Sequence, residues 1–413
     1  MILLIFTNNY PYDTVGEQTF LGGEIRILQK YFDRIVLVPQ QKYEKLLPLP
    51  DGVEVALDFA EKFSFGKRFP AFLNSFFQKD VFRDIRDRLP ASLSVEYLKK
   101  LFFFISGARQ TQTWLKEWMR RENVLPSDTV CYTYWFIDVT MGLGWAKVQT
   151  PSLKVVSRAH GYDLYEELYK PWPLRSKSIS LLDALFADSD IGTNYLLEKY
   201  PQFKDKYETA LLGVPEPGGL SQPSSDGVLR IVSCSTINPI KRIDLLFQGV
   251  LSAAKMRKNQ KIEWTHFGGG QERQEFIDRV EKEFPQNAKG FFPGYQNQRH
   301  LIQTYITHPV DVFVNVSSTE GTPVSIMEAI SCGIPVTATA VGGNVEIVQE
   351  RNGFLLAENP TPDEIAEALL SVMDTRELWL EKRKGSREVW QERYNETKNF
   401  EAFAHRLVEI RKR

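Results

Sequence analysis

The chain has 413 residues, which at about 100–200 residues per domain calls for two or three domains and excludes a single small binding module. Hydrophobic residues make up 43% and charged residues 25%, the composition of an ordinary globular protein and of neither a disordered nor a collagen-like chain. Lys and Arg total 51 against 52 Asp and Glu, a formal net charge of -1. No overall attraction to nucleic acid is expected, and an anionic partner has to be met by a local site.

The N-terminal run Met1 to Phe6 is apolar but short, lacks a basic flank and ends at Asn8-Asn9-Tyr10-Pro11, so it reads as a buried first strand and not as a signal peptide. No apolar stretch approaches the roughly 20 residues that span a bilayer. Short apolar runs then alternate with helical periodicity, as βα units on a parallel sheet do. In the first half, strands are expected at 2–7, 34–39, 129–134, 154–158 and 184–188, with amphipathic segments at 24–31 and 194–200. Cys131, Cys234 and Cys332 are odd in number and far apart, without disulfide or metal-ligand spacing, which suggests a reducing cytosol.

The stretch 215–227, rich in Pro, Gly and Ser, reads as a linker. Beyond it the pattern repeats, with strands expected at 229–234, 262–267, 290–293, 312–315 and 335–338. Helices are expected at 243–252, 272–282, 299–306, 323–331 and 362–372. The expected domains are 1–214 and 228–385, joined by the linker, with charged helices 386–413 crossing back to the first. Two doubly wound domains facing each other would bind ligands at the carboxyl ends of their strands.

The most informative segment is Val316 to Val336. Thr322 suits an N-cap and Pro323 a first helical residue, leaving the amides of Val324, Ser325 and Ile326 as donors for an anion. Glu328 lies too deep in the helix to cap it and suits ligand hydroxyls. Glu320 is eight residues earlier, about 12 Å even in helical geometry and wider than a glycosidase carboxylate pair, so the two glutamates are expected to have separate jobs. On local physics alone, a capped core helix with two solvated glutamates fits the segment equally well.

The ordered series Glu320-x7-Glu328, Gly333-Ile334-Pro335-Val336, Val341-Gly342-Gly343-Asn344, Lys241, Phe267-Gly268-Gly269-Gly270, Pro293-Gly294-Tyr295 and Asn352-Gly353-Phe354 resembles the signature of retaining glycosyltransferase family 4 and covers nearly the whole chain. The resemblance implies a GT-B fold, with two Rossmann-like α/β domains facing a central cleft, 1–214 for the acceptor and 228–385 for the nucleotide sugar. It also implies a metal-independent retaining glycosyltransferase that carries a sugar from a nucleotide diphosphate donor, a UDP- or GDP-sugar, to a hydroxyl of a lipid-linked saccharide. Glu320 would touch the donor sugar, Glu328 the ribose, and Gly321, Thr322, Pro323, Val324 and Ser325 the sugar and diphosphate, with the base near Tyr295. Lys241 would neutralise the leaving diphosphate, which without a metal needs fixed cations and donors.

Where many members carry an arginine five residues before that lysine, this chain has Thr236, so that either Arg242 or a group from the other domain substitutes, or diphosphate binding is weaker. Gly16 matches the first glycine-rich loop, His160 the family histidine near the donor sugar, and Asp163 an acceptor-side group. A lone histidine is otherwise more often simply packed. Asp188-Ser189-Asp190 has the Asp-x-Asp form of a metal site, although Ser189 as a helix cap is the more economical reading. Residues 61–121 hold 13 basic and six acidic residues interleaved with phenylalanines such as Phe63, Phe69, Phe76 and Phe102-Phe103-Phe104, suited either to an anionic membrane surface or to an aromatic core with a basic face. The expected location is cytoplasmic, peripheral on the inner membrane face. An idle sugar-nucleotide-binding protein and a nucleotide-sugar isomerase on the same scaffold are the alternatives.

Overall fold

A computed structural model of the chain describes residues 1–13, 16–62, 65–76, 79–87, 94–169, 172–270 and 273–412. The chain divides into two compact units, Met1–Leu212 with Thr397–Arg413, and Gly213–Glu396. Residues 213–227 therefore belong with the second unit.

The first unit holds seven strands: β1 (Ile2–Thr7), β2 (Arg34–Pro39), β3 (Val53–Val55), β4 (Thr129–Thr133), β5 (Lys154–Ala159), β6 (Ala184–Ala187) and β7 (Tyr207–Thr209). They form one sheet in the order β3-β2-β1-β4-β5-β6-β7, and every pairing is parallel. A parallel sheet is covered on both faces, so its strands read as unbroken apolar runs. β1, β2 and β5 are accordingly buried at five of their six positions. One core takes Leu21, Ile25 and Leu28 from the helix Gln18–Leu28 and Phe403, Ala404, Leu407 and Ile410 from the last helix, Glu396–Lys412. Arg158 of β5 and Glu24 form a wholly buried ion pair, with the guanidinium 4.3 Å from the Phe403 ring centre. A charge so far from water is stable only when paired.

The second unit holds β8 (Leu229–Cys234), β9 (Ile262–Phe267), β10 (Ala288–Gly294), β11 (Val312–Asn315), β12 (Val336–Thr339) and β13 (Gly353–Leu356). Its order is β10-β9-β8-β11-β12-β13, again all parallel. Helices Ile243–Met256, Arg273–Glu283 and Pro362–Asp374 close its main core against Leu229, Ile231, Trp264 and Val314.

Both sheets reverse their winding at one place, between β1 and β4 in the first and between β8 and β11 in the second. Loops leaving the carboxyl ends of those strands diverge there and open a crevice, where such sheets bind ligands. Against expectation, β4 ends at Thr133, β10 starts at Ala288, and the edge strands β3, β7 and β13 are additional.

Candidate active site

In the second unit, the switch point is formed by the loop after β8, which carries Lys241, and the loop after β11, which carries Glu320. Lys241 Nζ lies 2.7 and 2.8 Å from the two oxygens of Glu320. Ser317 Oγ donates to Glu320 Oε1 at 2.7 Å and Asn315 Nδ2 to the same oxygen at 3.0 Å. The carboxylate is thus held by three donors from two loops. The lysine side chain keeps 24% of its surface exposed against 9% for the glutamate. The separate tasks expected of the two residues gave no sign of this pairing.

Gly342 explains how the Glu320 backbone is placed. Its φ of +45° disfavours other residues, and a Cβ there would sit 1.8 Å from the Glu320 carbonyl oxygen. The neighbouring Gly343 N–H donates to the Gly321 carbonyl at 2.9 Å.

The helix after this loop runs Val324–Ser331, with Pro323 at the N-cap position and without a side-chain cap. This corrects the expected start by one residue. Thr322 is not the cap, and the Ile326 N–H is already taken by the Pro323 carbonyl at 3.2 Å. Val324 and Ser325, both half-buried, are the first-turn amides that lack an intrahelical acceptor.

Glu328 is buried on the same helix, and burial pushes its carboxyl up to about 7. Gln298 Nε2 donates to its Oε1 at 2.9 Å, a contact that the sequence did not announce. Tyr295, 71% exposed, follows the end of β10.

Arg242, the expected substitute for the family arginine, is engaged by backbone and side-chain acceptors of other loops. Its backbone is left-handed, with φ 48°. Its guanidinium donates to the carbonyls of Val316, Ser317 and Glu358 at 2.6, 2.8 and 2.7 Å and to Asn359 Oδ1 at 3.0 Å. These four acceptors make it a brace between loops. Thr236, at the position of the family arginine, accepts from Asn238 Nδ2 at 2.8 Å.

In the first unit, four neighbouring strand ends contribute one group each. Glu17, after β1, gathers the N–H groups of Asn8, Asn9 and Tyr10 at 2.7–2.8 Å and accepts from Trp135 Nε1 at 2.5 Å. Trp135 follows β4, His160 follows β5 and Asp188 follows β6. His160 is 7% exposed, its ring centre 4.6 Å from that of Tyr134 and 4.8 Å from that of Trp135.

Asp163, expected on the acceptor side, is held by backbone groups. It is wholly buried, and its oxygens accept from the backbone N–H groups of His160 and Phe136. Burial raises its carboxyl, against the opposing effect of His160. Gly16 has φ +123° with open space at its Cβ position, so glycine is needed there for the turn itself. Ser189 caps the helix Asp190–Lys199, its Oγ accepting from the Gly192 N–H at 3.1 Å. Asp188 is turned toward His160.

The fold is that of the GT-B glycosyltransferases. The lipopolysaccharide outer core galactosyltransferase WaaB aligns over 99% of both chains with a TM-score of 0.67 at 13% identity. Anabaena Alr3699/HepE, crystallised with UDP and glucose, aligns over 99% of this chain and 100% of its own, with a TM-score of 0.61 at 14% identity. Residues 221–389 match the family described as Glycosyl transferases group 1. Among curated proteins, the O-antigen biosynthesis glycosyltransferase WbnH of Escherichia coli is 30% identical over 177 residues, 41% of this chain and 48% of that protein. The sucrose-phosphate synthase of Zea mays is 33% identical over 101 residues, 24% of this chain. The chain spans about a tenth of the length of that plant enzyme and about half that of the bacterial one.

Proposed function

We propose that this protein is a retaining, metal-independent glycosyltransferase that moves a sugar from a nucleotide diphosphate sugar to a hydroxyl of a saccharide acceptor. The observation that carries the reading is the Lys241–Glu320 pair at the switch point of the second sheet, beside a helix start without a side-chain cap. Breaking the bond to a nucleoside diphosphate builds negative charge on the leaving phosphate. A fixed ammonium and oriented N–H groups stabilise that charge without a metal. In this reading Lys241 takes the leaving charge, and Gly321, Thr322, Pro323 and the amides of Val324 and Ser325 line the sugar and diphosphate. Glu320 holds donor-sugar hydroxyls, Glu328 the ribose, and the backbone near Tyr295 the base. Gly16 and His160 are the first-domain groups assigned to the reaction. Retention follows from same-face substitution, with the leaving diphosphate accepting the acceptor's proton.

A UDP donor is supported by the like-folded protein crystallised with UDP and glucose, and a surface-polysaccharide product by the O-antigen relative. The reading is tested by incubating the protein with UDP- and GDP-sugars in excess chelator, with and without saccharide acceptor, and analysing the products. Sugar transfer, or slow donor hydrolysis without acceptor, supports it. Donor that is bound and left intact points to a binding protein, and donor rearranged without acceptor to an isomerase.

For the acceptor we assign a lipid-linked saccharide and for residues 61–121 contact with an anionic membrane surface. Phe69 and Phe82 are 61% and 49% exposed, and Val95 is 69% exposed at the start of the helix Val95–Arg121. Exposed apolar groups among basic ones suit the headgroup layer. Phe63 and the side chain of Phe76 lie outside the described residues. Vesicles containing anionic lipid should retain the protein at low salt and release it at high salt, and failure to bind at low salt refutes the assignment.

A further inference from the structure

His160 Nδ1 lies 2.9 Å from Asp188 Oδ2, both side chains are more than nine-tenths buried, and Nε2 has no partner among the described residues. An ionised carboxylate only accepts hydrogen bonds. The proton of a neutral imidazole beside it therefore sits on Nδ1, and Nε2 carries the lone pair. We propose that Asp188 is a positioning residue that fixes His160 in the Nδ1–H tautomer, so that Nε2 meets substrate as a hydrogen-bond acceptor. The tautomer rests on geometry alone; its use in sugar transfer rests on the function proposed above.

The surroundings leave the ring little other freedom. Tyr134 and Trp135 pack against it, and Trp135 is tied through its indole N–H to Glu17. The His160 backbone N–H is held by Asp163 Oδ1 at 2.6 Å. Asp188, Asp163, Glu17 and Tyr134 are thus the titratable groups around the imidazole. None of the last three touches Nδ1, so the choice of tautomer falls to Asp188. A buried nitrogen without a partner is costly, and the cost is offset when a ligand hydroxyl or a water donates to it. A neutral His160 in this state accepts from a hydroxyl of donor or acceptor and fixes its direction. The opposite tautomer would present N–H and repel the hydroxyl proton.

The test is nitrogen NMR of protein labelled at its five histidines, at about pH 8.5, above the ordinary imidazole range, with His160 assigned from its loss in His160→Gln. Wild type should give a pyrrole-type Nδ1 and a pyridine-type Nε2. In Asp188→Asn the amide N–H faces Nδ1, and the two signals should exchange types. With donor and acceptor present, Asp188→Asn should lower kcat by about tenfold, the equivalent of one lost hydrogen bond, with little change in KM. An Nε2–H tautomer in wild type overturns the proposal even if Asp188→Asn fails to fold. An unchanged tautomer in a folded Asp188→Asn also overturns it. Exchanged signals without sugar transfer from any donor would uphold the role of Asp188 and count against the proposed function instead.

Discussion

Lys241→Ala is expected to lower kcat for sugar transfer by about 10²–10³-fold, the usual cost of removing one fixed donor from developing charge, with a smaller change in KM. The contrast follows from what the ammonium touches at each stage. It is paired with Glu320 at 2.7 Å, so binding a diphosphate exchanges one anion for another with modest gain. As the bond to the sugar breaks, charge accumulates on the phosphate and not on Glu320. The lysine therefore favours the transition state over the bound donor, which is the condition for raising kcat. Glu320 keeps Ser317 and Asn315 as donors, so it can stay in place after the lysine turns away. The reciprocal change separates the partners. Glu320→Gln removes the competing anion and should tighten UDP binding by ~2–5-fold, the scale of a partly exposed ion pair, while turnover falls. Steady-state kinetics and calorimetry of the two variants check both statements. Weaker UDP binding in Glu320→Gln would contradict the exchange of partners.

Glu328→Ala is expected to weaken UDP binding by ~10–100-fold with less effect on kcat, because a charged acceptor of ligand hydroxyls contributes about 1.5–3 kcal/mol per bond. Its titration adds a pH signature. Burial raises the folded-state value to about 7, above about 4.3 in an unfolded chain. The contribution to stability is therefore complete below the unfolded value and is lost as pH rises through about 7. Glu328→Gln should accordingly be more stable than wild type at pH 8 and close to it at pH 4. Donor hydroxyls prefer the ionised carboxylate, so the affinity of wild type for UDP should rise between pH 6 and 8 relative to Glu328→Gln. Titration of the phosphate is common to both proteins and cancels in the comparison. A ratio that stays flat across this range would remove Glu328 from the nucleotide site.

Much of this architecture was legible because each buried parallel strand is an apolar run with sharp ends. β1, β2, β8, β9 and β11 begin and end where their residues suggest. The edge strands β3 and β7 were not legible, since three residues show no period. The 27-residue helix Val95–Arg121 was hidden because apolar Phe102-Phe103-Phe104 covers more than one face and masks the 3.6-residue repeat. In the site, the kind of residue was readable but its partner was not. Lys241 and Glu320 are 79 positions apart, and His160 and Asp188 are 28 apart. Arg242 and Asp163 look like ligand-binding charges in sequence, but the fold turns both onto backbone groups, Arg242 onto carbonyls of other loops and Asp163 onto the N–H groups of His160 and Phe136. The Asp188-Ser189 pair divides its work: the carboxylate meets an imidazole and the hydroxyl caps a helix.

The central claim is that the second domain binds a nucleoside diphosphate through Lys241, the helix start and Glu328 without a metal. Thermal unfolding with UDP, GDP, ADP and CMP, each in excess chelator, tests it most directly. A ligand at 100 times its Kd adds about 2.7 kcal/mol. Tm should rise clearly with one diphosphate, and much less in Glu328→Ala. A rise that appears only after magnesium or manganese is restored, or that survives unchanged in Glu328→Ala, would contradict it.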